Sequence, residues 1–156
     1  MRIVSAHVAR PVEDCWRVFT DFEATLRWVP GLRSAKLVTF DLEGLPEEVR
    51  YEFVAGLIYS LRYTYDTGAN VVRWEPVDEE GKRGGVRGFA RFTAIARDGS
   101  AGPRSAAEGG AETIDGGTQV TYALEHDEGR KAAERAIDSP QMLVEAFAQF
   151  MHEDSE

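Results

Sequence analysis

The 156-residue sequence is poor in cysteine, in lysine and in long apolar runs. Its one cysteine, Cys15, excludes an intrachain disulfide and a zinc site with several thiolates, and it suits a reducing compartment. No stretch approaches the roughly 18 consecutive apolar residues of a membrane span. The N-terminal residues also lack the apolar block of a signal peptide. We therefore expect a cytoplasmic protein without stable membrane insertion.

Basic charge is scarce as well. Acidic residues number 27 against 18 basic ones, which gives a formal net charge of -9, and the basic residues form no patch. Such a chain repels a phosphate backbone, so we expect no nucleic-acid partner. Hydrophobic residues at 43% and charged residues at 29% are typical of a folded globular chain. The length fits one domain over residues 1–156.

The N-terminal part predicts a strand followed by two short helices. Residues 3–9 alternate with a period of two, which is typical of a strand. Pro11 then favours a helix start, and apolar residues recur at helical spacing at Val12, Cys15, Trp16 and Phe19. Asp21 can cap a second helix, and Pro30-Gly31 ends it.

The middle of the chain predicts an antiparallel sheet. Apolar and polar residues alternate in six segments: Ala35–Thr39, Val49–Phe53, Leu57–Tyr65, Val72–Trp74, Gly88–Ala94 and Val120–Leu124. Strands of this kind have one apolar face and one solvated face. The connection Asp98–Gly117 is rich in glycine and alanine, so it is either a flexible insertion or a hairpin with a frayed tip.

A helical period returns near the C-terminus. A short apolar stripe ends at Ile137, and a longer one consists of Met142, Leu143, Ala146, Phe147, Phe150 and Met151. Between them, Ser139 and Pro140 form a strong helix start. The pattern predicts either two helical segments or one helix kinked at Pro140.

This order of elements resembles the START-like, or SRPBCC, superfamily, which includes polyketide cyclase/dehydrase-like and lipid-transport proteins. The similar segments are Ala9–Phe22, Trp28–Ser34, Val72–Trp74 and Gly117–Tyr122. The resemblance implies an α+β helix-grip fold, in which a curved antiparallel sheet of six to seven strands surrounds a C-terminal helix and two short helices follow strand 1. It says little about the ligand, because these motifs are packing motifs.

The inward-facing side of the predicted sheet is aromatic. Such a face either lines a ligand cavity or interdigitates into a solid core, and the resemblance favours the cavity. The candidate ligand-binding residues are Trp28, Tyr51, Phe53, Tyr63, Trp74, Phe92, Tyr122, Phe147 and Met151.

Few residues suggest catalysis. Arg62 is a weak candidate, because an arginine can anchor a carboxylate or enolate, but its alternation places it on the solvated face. The histidines His7, His126 and His152 lack metal-site spacing, so we expect no metal and no cofactor. Cys15 is most simply a small buried apolar residue.

Two functions remain open at this point. The first is binding or transport of a hydrophobic small molecule, such as a lipid, a quinone or a polyketide-like compound. The alternative is a polyketide cyclase or dehydratase that acts in the same cavity. The apolar face offers no acid/base pair, which favours the carrier and a non-enzymatic role. The protein could be a monomer or a homodimer.

Overall fold

Seven strands and four α-helices make up the described part of the chain. The computed structural model describes residues 1–77, 85–95, 116–127 and 130–153. The elements are β1 (Arg2–Val8), α1 (Val12–Phe19), α2 (Phe22–Trp28), β2 (Leu32–Phe40), β3 (Pro46–Phe53), β4 (Ile58–Asp66), β5 (Val71–Pro76), β6 (Val86–Ala94), β7 (Thr118–His126), α3 (Ala132–Ile137) and α4 (Pro140–Glu153).

All seven strands belong to one antiparallel sheet with the order β1-β7-β6-β5-β4-β3-β2. Strands β2 to β7 lie side by side in chain order, and β1 pairs with β7, so the sheet is open with β1 and β2 at its edges. Helices α1 and α2 connect these two edges, and α4 packs against β1, β7 and α2. This arrangement confirms the predicted helix-grip α+β fold.

The N-terminal helices form where the sequence predicts them. The carboxylate of Asp21 accepts a hydrogen bond from the backbone N–H of Glu23 at 3.0 Å, so the predicted cap of α2 is present. In α1, Cys15 is fully buried and Phe19 packs against the core. The two helices therefore cover the inner face of the sheet with apolar side chains.

A tight turn reverses the chain between β3 and β4. Its residues Ala55 and Gly56 have positive φ angles of 64° and 77°. This left-handed conformation is costly for alanine and cheap for glycine. It lets consecutive strands pair directly, with Tyr51 opposite Tyr59.

The C-terminal region consists of two helices and not one kinked helix. Helix α3 ends at Ile137, and α4 begins at Pro140 after Asp138 and Ser139. The carbonyl of Ser139 accepts the N–H of Leu143 at 3.0 Å. The buried face of α4 holds Leu143, Val144, Phe147 and Met151.

Most of the predicted glycine-rich connection, Asp98–Gly117, lies outside the described residues. Within the described ranges, no helix is long and apolar enough to cross a membrane.

Candidate ligand-binding site

A cavity lies between the inner face of the sheet and the helices. Its empty volume, including the space at its mouth, is about 700 Å³, and about 70 Å³ of it admits the centre of a water molecule. A single buried water needs only roughly 10–15 Å³ on the latter measure, so the space is more than a packing defect. The helical side and β2 contribute Phe19, Thr20, Phe22, Thr25, Trp28, Val29, Leu32 and Leu143. The other strands contribute Pro46, Tyr51, Phe53, Tyr59, Leu61, Tyr63, Tyr65, Val72, Trp74, Val86, Tyr122 and Leu124.

The structure brings six of the nine candidate binding residues together around this cavity. They are Trp28, Tyr51, Phe53, Tyr63, Trp74 and Tyr122. Sequence reasoning left out the cavity residues of α1 and α2 other than Trp28. Phe19 could have been included, because it lies on the apolar stripe of α1 that the sequence predicts to be buried.

The other three candidates, Phe92, Phe147 and Met151, do not line the cavity. They are at most 1% exposed and pack in the core. The ring of Phe19 lies 5.4 Å from that of Phe92 and 5.6 Å from that of Phe147, centroid to centroid. The aromatic inner face is therefore filled around Phe92, Phe147 and Met151, and it borders the cavity where the other six candidates lie.

Among the described residues, no carboxyl, histidine, lysine or arginine side chain lines the cavity; its polar groups are tyrosine and threonine hydroxyls and two indole N–H groups. The hydroxyls of Tyr51 and Tyr63 lie 2.5 Å apart, and the hydroxyl of Tyr65 donates to the carbonyl of Pro46 at 2.6 Å. Burial raises the pKa of Tyr51 to about 12 and the pKa of Tyr122 far above its ordinary value. The cavity wall is consequently uncharged at neutral pH.

A buried hydrogen-bonded cluster centred on Asp138 contacts the cavity wall through Tyr59. The carboxylate of Asp138, 1% exposed, accepts hydrogen bonds from the hydroxyl of Tyr59 at 2.8 Å and from Arg130 at 2.7 Å. His126 Nε2 lies 2.8 Å from the same carboxylate. This Asp138 cluster joins β4 and β7 to the residues on either side of α3.

Opposing effects set the charge of Asp138. Burial by itself would raise the pKa of its carboxyl group. The hydrogen bonds from His126 and Arg130, together with the charge of Arg130, outweigh burial and lower the pKa below its usual value. Burial and the nearby carboxylate raise the pKa of Tyr59 well above its ordinary value, so Tyr59 stays a neutral donor.

Arg62, the weak catalytic candidate, lies on the outer face of the sheet. Its side chain is 51% exposed, and its Nη2 atom lies 3.5 Å from the carboxylate of Glu48. It does not line the cavity. The alternation along β4 therefore placed it correctly on the solvated side.

We expect Arg62→Ala to change the free energy of unfolding by about 0–1 kcal/mol, because an exposed ion pair contributes little. Ligand affinity should not change, since the side chain is remote from the cavity. Urea denaturation and a binding titration check both expectations. A clear loss of affinity would show that the arginine contacts the ligand.

The other chemically reactive side chains are engaged in structural roles. His152 Nε2 accepts the backbone N–H of Ala9 at 3.0 Å. Burial raises the pKa of Cys15 to about 11, which keeps its thiol protonated and poorly nucleophilic. Among the described residues, no three His, Cys, Asp or Glu side chains are placed to hold a metal ion.

No protein-family model and no curated protein matches the chain. Solved structures do match it. A START superfamily protein from Mycobacterium smegmatis is 15% identical, with a TM-score of 0.65 and coverage of 97% of each chain. The Zhui aromatase/cyclase from Streptomyces sp. R1128 is 15% identical, with a TM-score of 0.68, and the match covers 99% of this chain and 94% of that chain. The chain has the START-like fold.

A protein from Thermus thermophilus shares the fold at 13% identity, with a TM-score of 0.69 over 99% of this chain and 98% of that chain. The similarity to START-like structures therefore covers nearly the whole length of the chain. At such low identity the likeness concerns the fold alone.

Proposed function

We propose that the protein binds or carries a hydrophobic small molecule in the cavity between the sheet and the helices. The observation that carries this proposal is a cavity within a START-like fold whose wall is uncharged and half aromatic. Binding pockets for small molecules combine an apolar lining with a few polar groups, and here tyrosine hydroxyls and indole N–H groups supply them. The six candidates that line the cavity are the residues proposed to contact the ligand, in one domain spanning residues 1–156.

A polyketide cyclase or dehydratase acting in the same cavity is the second candidate. It is favoured by the structural similarity to an aromatase/cyclase and by the hydrogen bond from Tyr59, which lines the cavity, to Asp138 outside it. A general base works best with a pKa near the working pH. Burial raises the pKa values of the wall tyrosines, so their hydroxyls stay protonated at neutral pH and do not serve as general bases. The carrier is therefore the better supported function.

We expect an apolar fluorescent probe, N-phenyl-1-naphthylamine, to bind saturably and to quench tryptophan emission by energy transfer. Trp28 and Trp74 line the cavity, so their emission reports on its occupancy. At a free probe concentration of 100 times Kd, the free energy of unfolding should rise by about 2.7 kcal/mol. Fluorescence titration and thermal denaturation measure the two effects.

Two variants test the location of the probe. Trp74→Ala removes a large part of the wall and should weaken binding. Phe40→Ala removes an aromatic ring that is 61% exposed, and should leave affinity unchanged. If no apolar compound binds or protects the wild type against heat, the binding proposal is wrong.

Mass spectrometry under native conditions distinguishes the two functions. A carrier purified from its host should release an apolar compound that is chemically unchanged after incubation with fresh protein. Conversion of the compound into a cyclised or dehydrated product would instead support the enzyme.

A further inference from the structure

The cavity wall contains hydrogen-bond donors that the described residues do not satisfy. Trp28 and Trp74 are 7% and 5% exposed, and the Nε1 atom of each is buried without a hydrogen-bond partner. An indole nitrogen can only donate. Buried donors of this kind are rare in folded proteins, because an unmade hydrogen bond costs free energy.

Both indoles belong to the same part of the cavity. The ring of Phe19 neighbours both, at 5.9 Å from Trp28 and 6.1 Å from Trp74, centroid to centroid. The neighbouring groups are other rings: Phe147 lies 5.1 Å from Trp28, and Tyr122 lies 5.2 Å from Trp74. An aromatic face is a weaker acceptor than an oxygen atom. The described part of the chain thus offers these two donors no oxygen.

The tyrosines add to this excess of donors. Within the pair Tyr51 and Tyr63, one hydroxyl donates to the other, which leaves one hydroxyl hydrogen for a further acceptor. The hydroxyl of Tyr122 makes no hydrogen bond to any described residue. By contrast, Tyr59 and Tyr65 already donate to protein oxygens.

We infer that the cavity selects a flat, neutral molecule with carbonyl or similar acceptor oxygens, such as an aromatic ketone or quinone. The inference rests on the proposed binding function and narrows its ligand class. A carbonyl oxygen can accept from Trp28, Trp74 or Tyr122, whereas a hydrocarbon leaves these donors unpaired. An ionised carboxylate would be buried without a cation among the described wall residues, which is costly.

Three probes of similar shape test this selection in the unmodified protein by isothermal titration calorimetry. Fluorene has no acceptor, 9-fluorenone adds one carbonyl oxygen, and fluorene-9-carboxylate adds an anion. We expect 9-fluorenone to bind roughly threefold to tenfold more tightly than fluorene, because one neutral hydrogen bond contributes about this much to affinity. The carboxylate should bind most weakly of the three.

Single substitutions locate the donor. Trp28→Phe and Trp74→Phe each keep an aromatic ring and remove an N–H. In at least one of these variants, the dissociation constants of fluorene and 9-fluorenone should become nearly equal. Trp16→Phe is the matched control, because Trp16 is not part of the cavity wall and the ratio of these two constants should not change. A preference that survives in both wall variants overturns the assignment to the indoles.

The outcomes separate this inference from the binding function. Equal affinity for fluorene and 9-fluorenone, or tightest binding of the carboxylate, would contradict the inference that the ligand carries neutral acceptor oxygens. The proposal that the protein binds an apolar molecule would still stand. Binding of N-phenyl-1-naphthylamine without binding of fluorene or 9-fluorenone would also contradict the inferred ligand class. If none of these compounds binds, the proposed function fails together with the inference. The probe comparisons need no variant, so they decide even if a substitution prevents folding.

Discussion

A chain that ends at Ser139, and so lacks α4, is expected not to fold. Helix α4 buries four large apolar side chains, Leu143, Val144, Phe147 and Met151, each at most 5% exposed. Burial of each is worth about 1.5–3 kcal/mol, or roughly 6–12 kcal/mol together. That is comparable to the ~5–15 kcal/mol by which a whole domain is stable. Circular dichroism and thermal denaturation should show loss of the cooperative transition.

Phe147 explains why the loss would reach beyond α4. Its ring contacts Trp28 of α2 at 5.1 Å and Phe92 of β6 at 6.2 Å, so it joins both layers of the core. Glu145→Ala, on the exposed face of the same helix, is the matched control and should change stability by no more than about 0.5 kcal/mol. A truncated chain that keeps the wild-type melting temperature would show that α4 is not part of the core.

The fold could be predicted because the period of the sequence changes where the elements change. Along β3, β4 and β5, strict alternation sends Tyr51, Tyr63 and Trp74 to the inner face, and all three line the cavity. The same alternation predicts that Phe92 faces inward. It does not predict whether an inward side chain borders a cavity or packs against another ring. That outcome depends on Phe19, which reaches from α1 into the sheet and fills the space beside Phe92.

The Asp138 cluster could not be predicted from the sequence, because its members have no common local pattern. Tyr59 and Asp138 are 79 residues apart in the chain. Asp138 lies in the short break between α3 and α4, where an aspartate is ordinarily a solvated helix terminator. Asp138 contacts Tyr59, His126 and Arg130 because α4 packs on the sheet, so the cluster results from tertiary packing.

Asp138→Ala is expected to destabilise the protein by about 3–5 kcal/mol. The substitution removes the carboxylate that pairs with the guanidinium of Arg130 at 2.7 Å, and breaking a buried ion pair from one side is costly. It also removes the acceptor for Tyr59. Glu125→Ala is the matched control: Glu125 is 50% exposed and lies 3.8 Å from Arg87, so its loss should cost about 0–1 kcal/mol. Urea denaturation at neutral pH compares the two variants.

The pH dependence of stability tests the charge of Asp138 separately from its packing. Because the folded pKa of this carboxyl group lies below its ordinary value of 3.8, its ionised form stabilises the folded state above that pH. This contribution is lost as the pH falls through the folded pKa. The stability difference between the wild type and Asp138→Asn should therefore be constant near neutrality and shrink below about pH 4. A difference that stays the same down to pH 3 would mean that Asp138 acts through its shape and hydrogen bonds and not through its charge.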